Sequence, residues 1–255
     1  MKNLPENKKI YFASDVHLGL YPYDHSRIRE KLFVKWLEEI RKDAAELYLL
    51  GDIFDYWYEY RKVVPRGFTR TLGKLAEITD SGIPVHFFTG NHDVWVFDYL
   101  PSEIGVILHN EPYILELNGK RMFLAHGVGL GPGDPGYKLL RRIFRSKFMQ
   151  WLYSKIHPNL SMRFAHWWSK KSRYSKGIAE AFQGEENELQ IVFAKETLKK
   201  EHFDYFIFGH RHVPMNYPLN PDSRLINLGE WIFSNTYAMF DGTLLELKQY
   251  GKENK

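Results

Sequence analysis

The chain has 255 residues, 44% of them hydrophobic and 16% aromatic, with no cysteine and a formal net charge of +4. This composition argues against disorder and suits one large domain with a substantial core. The lack of cysteine excludes disulfides and thiolate metal sites and suits a reducing compartment. No run of about 18 apolar residues occurs, so no spanning helix is expected, and the opening MKNLPENKKIYF lacks the apolar core of a secretory leader.

In chain order, residues 9–13 (KIYFA) read as a short buried strand. Residues 27–42 read as an amphipathic helix, with Leu32, Phe33, Trp36, Leu37 and Ile40 on one stripe. LYLL at 47–50 is a second strand, residues 69–80 a second helix, and PVHFF at 84–88 a third strand. Strands alternating with helices predict an α/β sheet. The pattern then changes: YILEL-NG-KRMFLAH predicts a hairpin turning at Asn118-Gly119, and YAMF-DG-TLLEL repeats it at Asp241-Gly242. Late hairpins added to an early α/β half predict two packed sheets with outer helices.

A basic segment interrupts this order. Residues 135–176 hold eleven Lys or Arg, nine aromatics and no Asp or Glu, so the rest of the chain is net acidic. Such a patch implies an anionic partner: nucleic acid, a membrane surface or an anionic substrate. GYKLLRRIFRSKFMQWLYSKIH predicts one long helix with Leu140, Phe144, Phe148, Trp151 or Leu152, and Ile156 as its apolar stripe. RFAHWWSKKSRYSK is too basic and too aromatic for packing alone and fits a membrane interface or a groove for an acyl chain.

Five strand ends share one peculiarity. IYFA runs into SDVHLG, with Asp15 and His17. LYLL runs into GDIFDYW, with Asp52 and Asp55. HFFT runs into GNHD, with Asn91, His92 and Asp93. RMFLA runs into His126-Gly127, and YFIF into GHRH, with His210 and His212. Active sites of α/β sheets gather at the carboxyl ends of strands. In extended backbone, residues i and i+2 project to one side, so Asp15/His17 and His210/His212 can each aim two ligands into one space. Carboxylate, imidazole and amide oxygen together suit Mn, Fe or Zn. Seven donors are too many for one ion, and two ions about 3.5–4 Å apart are a device for phosphoryl hydrolysis. Taken singly, GD or HG is an ordinary turn, and a lone His126 would be a hydrogen-bonded core histidine. The joint order of the five clusters carries the metal reading.

This ordered set resembles the calcineurin-like metallophosphoesterases over almost the whole chain. The resemblance implies a single domain over 1–255, a four-layer β-sandwich flanked by helices, with a helical lid at about 132–200. It implies one metal on Asp15, His17, Asp52 and His212, and a second on Asp52, Asn91, His126 and His210, with Asp52 shared. His92 would protonate the leaving group or stabilise charge there, and Asp93 would orient His92.

SDVHLG, GDIFDYW, the long insertion after AHG, and FGHRHVP are similar to a narrower group, the UDP-2,3-diacylglucosamine pyrophosphatases of lipid A biosynthesis. That likeness implies hydrolysis of the nucleotide pyrophosphate to UMP and 2,3-diacylglucosamine 1-phosphate. It also implies two divalent ions, Mn²⁺ first and Fe or Zn as alternatives, and peripheral attachment to the cytoplasmic face of the membrane. Arg141, Arg142, Arg173 and Lys176 become candidates for phosphate contacts, and no protein partner is expected. Two positions depart from the group's best-known branch: His92, where that branch has Arg, and Val128, where the group usually has Asp. Two alternatives stand beside this reading. One is a nuclease tracking a phosphate backbone with its basic segment, although nucleic acid is the less expected partner. The other is a non-catalytic binding module, which would require lost ligands.

Overall fold

The computed structural model describes residues 3–131, 135–164, 167 and 182–251. Two sheets face each other. The first has six strands in the order β11-β10-β1-β2-β3-β4: Leu245–Gln249, Thr236–Phe240, Lys9–Ala13, Ala44–Leu49, Val85–Phe88 and Ile107–His109. The second has five in the order β5-β6-β7-β9-β8: Tyr113–Leu117, Lys120–Leu124, Tyr205–Phe208, Ser223–Asn227 and Met215–Asn220. β1 to β4 run parallel, as do β6, β7 and β9. Antiparallel strands complete both sheets.

Alternation along each strand decides which layer it feeds. In β1, Ile10 and Phe12 meet Tyr48, Phe88, Leu124, Ile207 and Phe240 between the sheets. Tyr11 and Ala13 point the other way, onto Phe33, Trp36 and Leu37 of α1 (Tyr23–Ile40) and Leu75 and Ile78 of α2 (Thr69–Asp80). The outer face of the second sheet packs Phe206, Phe208 and Leu225 on Ile191 and Ala194 of α5 (Leu189–Leu198). The result is helix, sheet, sheet, helix; both sheets and α1 contribute fully buried aromatics at about 1.5–3 kcal/mol apiece, and α5 contributes Ile191 and Ala194. The expected α/β two-sheet architecture is therefore observed.

α2 occupies its expected range. α1 begins at Tyr23 rather than 27, and β2 begins at Ala44. The turn at Asn118-Gly119 has φ of 50° and 74°, the double left-handed pair of a type I′ hairpin. At the second hairpin, Asp241 instead accepts the amides of Thr243 and Leu244, making a longer loop before β11. The long helix expected over 136–157 is broken. α3 (Pro135–Arg145) stops at Ser146, whose backbone is extended, and α4 (Lys147–Tyr153) starts beyond it. Its expected stripe divides: Leu140 and Phe144 are half-buried, Phe144 against Trp95 at 4.9 Å, whereas Phe148, Trp151, Leu152 and Ile156 are 65%, 55%, 47% and 42% exposed. Among the described residues no helix is long and apolar enough to cross a membrane.

Candidate metal centre

Because β1, β2, β3, β6 and β7 belong to two sheets that face each other, their carboxyl ends open onto one rim. Asp15, His17 and His212 bring one donor each within 4.8 Å of one another, and so do Asp52, His126 and His210. In the first group, Nε2 of His212 lies 3.1 Å from Asp15 Oδ1 and 3.1 Å from Nε2 of His17. In the second, Nε2 of His126 lies 3.3 Å from Asp52 Oδ2 and 3.2 Å from Asn91 Oδ1. Asp52 Oδ2 is also 3.9 Å from His17 Nε2, so one carboxylate oxygen faces both groups. All seven expected ligands meet at this rim.

The backbone route differs from expectation. Asp15, His17, Asp52, His210 and His212 have φ between 48° and 70°, the left-handed region that non-glycine residues rarely occupy. The pairs therefore converge through strained turns beyond the strands and not through extended i, i+2 alternation. Strain of about 1–3 kcal/mol per residue persists only where the surroundings over-determine it. Here the surroundings are dense. A Cβ on Gly90 would sit 2.1 Å from Asp52 Oδ1, and one on Gly209 1.9 Å from Ser14 Oγ, so only glycine admits these close approaches. Arg29, buried on α1, donates to the His17 carbonyl at 2.6 Å and fixes that turn from behind.

The electrostatics call for a cation. Two imidazole nitrogens 3.1 Å apart cannot both donate, and the carboxylates beside them are acceptors only. Burial pushes the Asp15 and Asp52 carboxyls up, but His212 beside Asp15 and His126 beside Asp52 outweigh it and hold both well below the usual range. Burial pushes His126 down, yet the charge of Asp52 raises it to about 10. Burial and then the charge of His126 push His210 down to about 3, leaving a neutral imidazole. The ionised carboxylates and the neutral His210 are ready donors, and a divalent ion would displace the proton that Asp52 favours on His126.

Asp93 has a different place from the one expected. Its Oδ1 accepts the amides of Gly90 (2.7 Å) and Asp52 (3.1 Å), and its Oδ2 those of Ile53 (2.8 Å) and Phe54 (3.3 Å). It stitches the β2 and β3 loops together, with its carboxyl pushed up to about 7 by burial and then by the charge of Asp52. Orientation of His92 falls instead to Asp55. The Asp55 main-chain oxygen lies 3.0 Å from His92 Nδ1, and its Oδ1 lies 3.8 Å from the same nitrogen and 3.4 Å from His17 Nδ1. The signal for Asp55 was present in the repeated acid of GDIFD.

The insertion docks beside this rim on aromatics that follow the ligand motifs. Tyr58 donates to the Gln150 carbonyl at 2.7 Å, the hydroxyls of Tyr56 and Tyr153 are 3.0 Å apart, and Trp95 Nε1 donates to the Phe144 carbonyl at 2.9 Å. Arg141 pairs with Glu111 at 3.4 Å, so that carboxylate competes with a phosphate for it, while Arg142 is exposed. Arg173 and Lys176 lie outside the described residues.

A two-sheet sandwich carrying acidic and imidazole donors for divalent ions on one rim defines a metal-dependent phosphoesterase. The chain belongs to the calcineurin-like phosphoesterase family, whose model matches residues 8–214. It is 43% identical over 253 residues to a UDP-2,3-diacylglucosamine hydrolase of Porphyromonas gingivalis, covering 94% of this chain and 97% of that protein. It is 26% identical over 227 residues to a UDP-2,3-diacylglucosamine hydrolase of Histophilus somni, covering 88% of this chain and 92% of that protein. Among solved structures, the phosphoesterase Yfce from E. coli superposes with a TM-score of 0.44 at 17% identity, covering 93% of this chain and 90% of that one.

Proposed function

We propose that this protein hydrolyses the pyrophosphate of UDP-2,3-diacylglucosamine, releasing UMP and 2,3-diacylglucosamine 1-phosphate at the cytoplasmic face of the membrane. The observation that carries the reading is the 43% identity to the Porphyromonas gingivalis hydrolase over 97% of that protein's length. The exposed apolar side chains of α4, next to the donor rim, supply a matching surface for acyl chains or lipid. Asp15, His17 and His212 would hold one divalent ion, and Asn91, His126 and His210 the other, with Asp52 shared; Mn²⁺ is the proposed metal. When bound, such ions supply Lewis-acid stabilisation of charge at phosphorus and activate water for in-line attack.

The remaining chemistry belongs to the chain. The carbonyl of Asp55 can only accept, so Nδ1 of His92 carries the hydrogen between them and proton exchange with a leaving oxygen takes place at Nε2. The His92 side chain is 21% exposed, within reach of substrate at the rim. Its amide donates to Asp52 Oδ1 at 2.8 Å, which ties the acid's position to that of the shared ligand. The helices of the insertion, with Arg142 among their exposed cations, would form the lid over the lipid part of the substrate.

The test is Mn²⁺-dependent release of UMP from UDP-2,3-diacylglucosamine in detergent, with an unacylated UDP-sugar as control. Release from the acylated substrate alone is expected. Equal cleavage of both, or cleavage of neither, would overturn the substrate assignment.

A further inference from the structure

The loop that delivers His210 and His212 is held from outside the metal centre by side chains at the start of α5. Arg211, between the two histidines, makes a two-pronged ion pair with Glu188: Nε to Oε2 at 2.9 Å and Nη2 to Oε1 at 3.0 Å. Glu188 is 3% exposed, and its Oε1 also accepts the amide of Gln183 at 3.2 Å. Two residues on, Gln190 is 2% exposed and donates from Nε2 to the carbonyls of Gly209 (2.9 Å) and Gly127 (3.4 Å). Its Oε1 accepts from Asn227 Nδ2, 2.8 Å away, and that same nitrogen is 2.8 Å from the Gly209 carbonyl.

The Gly209 carbonyl thus receives three donors, counting the Arg211 amide at 2.9 Å, which saturates its two lone pairs. The amide of Gly209 donates to the His126 carbonyl at 3.0 Å, so the residue before His210 is tied to the loop of His126 as well. Gly127, the residue after His126, has φ of 102°, and a Cβ there would lie 2.3 Å from Gln190 Nε2. The close approach is built for this amide and for no other side chain on that glycine.

We propose that Glu188 and Gln190 are positioning residues. From the start of α5, they set the placement of His126, His210 and His212 by holding Gly127, Gly209 and Arg211. The physical reason is that bidentate, buried, charge-assisted pairs fix orientation as well as distance. Groups one layer behind metal ligands typically govern metal affinity or activity by about 10–100-fold. The inference rests on the reading of those three histidines as metal ligands, and it does not depend on the substrate.

The test uses the full-length protein, stripped of metal and titrated with Mn²⁺, followed by the electron paramagnetic resonance of the ion and by thermal unfolding. Glu188→Gln and Arg211→Gln are expected to weaken Mn²⁺ binding by about 10–100-fold while remaining folded. Arg211→Lys keeps the charge but loses the fork, and its loss should be smaller. Should Glu188→Gln fail to fold, Arg211→Lys and Gln190→Met carry the test, since Gln190→Met removes the donor and conserves the volume. Folded variants with wild-type Mn²⁺ affinity and an unchanged resonance would overturn the proposal. A wild-type protein that releases no UMP, beside variants that still lose Mn²⁺, would retire the substrate reading and leave the positioning role standing.

Discussion

Asp55 faces two imidazoles at once: its Oδ1 lies 3.4 Å from Nδ1 of His17, and its main-chain oxygen 3.0 Å from Nδ1 of His92. His17 belongs to the donor group with Asp15 and His212, whereas His92 sits at the mouth of the rim. One buried residue therefore sets the tautomer of a proposed ligand and of the proposed acid. Asp55→Asn keeps the shape and the carbonyl but removes the charge. We expect kcat to fall by about 10–100-fold and Mn²⁺ binding to weaken. Steady-state kinetics at saturating Mn²⁺, compared with a Mn²⁺ titration, separate the two losses. An unchanged kcat would return Asp55 to a purely structural role.

Removing Asp52 and removing His92 should have different consequences. Asp52 Oδ2 faces donors of both groups, at 3.3 Å from His126 and 3.9 Å from His17. Asp52→Ala should abolish activity and lower the metal content of both sites. His92 lies outside both ligand trios, so His92→Ala should keep its metals and slow turnover by about 10²–10⁴. Metal analysis of the two purified variants, set beside their rates, checks the distinction. Loss of metal from His92→Ala would make that ring a ligand and not an acid.

The donor residues were legible because each follows a short apolar run, and the parallel order of β1, β2, β3, β6 and β7 turns five such ends into one rim. What holds the donors was not legible. Gln190 reaches Gly127 across 63 positions of sequence, a contact that no local pattern encodes. The left-handed turns at Asp15 and His212 were hidden for a similar reason, since aspartate and histidine have no intrinsic need of them and the surrounding contacts impose them. The resemblance assigned Asp93 to His92, but a buried carboxylate beside four amide donors takes those instead. In the insertion, helical spacing found the apolar residues but not the break at Ser146 that divides them between two helices. Periodicity reports a face, and only tertiary structure says whether that face meets a core.

A pH dependence should arise away from the metal centre. His109 ends β4 with its ring stacked on Phe88 at 4.5 Å and its Nε2 2.8 Å from Nδ1 of His86. Tyr113 packs against the same ring at 4.9 Å, and Glu46 approaches His86 from the other side at 3.6 Å. Burial lowers the His109 pKa below its ordinary 6.5, so the unfolded chain binds the proton more readily. Its contribution to stability is present above about pH 6.5 and is lost as pH falls through the lowered value. His109→Phe should therefore flatten the decline in unfolding free energy between about pH 7 and pH 5. Denaturant melts across that window are the check, and an unaltered slope would assign the dependence to other groups.

The exposed side of α4 makes the last prediction. Phe148 and Trp151 stack on each other at 6.0 Å while 65% and 55% exposed, and Lys155 lies over the Trp151 ring at 5.2 Å. Aromatics of this size left in water cost about 1.5–3 kcal/mol each relative to burial, which is about 10-fold or more in partitioning. Nearby exposed cations, Arg142, Lys147 and Lys155, would favour an anionic surface. Phe148→Ser with Trp151→Ser should thus reduce co-sedimentation with vesicles containing anionic lipid by at least about 10-fold. Neither residue belongs to the core clusters, so the melting temperature should scarcely move. Raising salt should weaken the wild-type interaction only partly, because the apolar part is not screened. Vesicle binding that survives the double substitution, or that vanishes entirely with salt, would replace the aromatic contact with a purely electrostatic one.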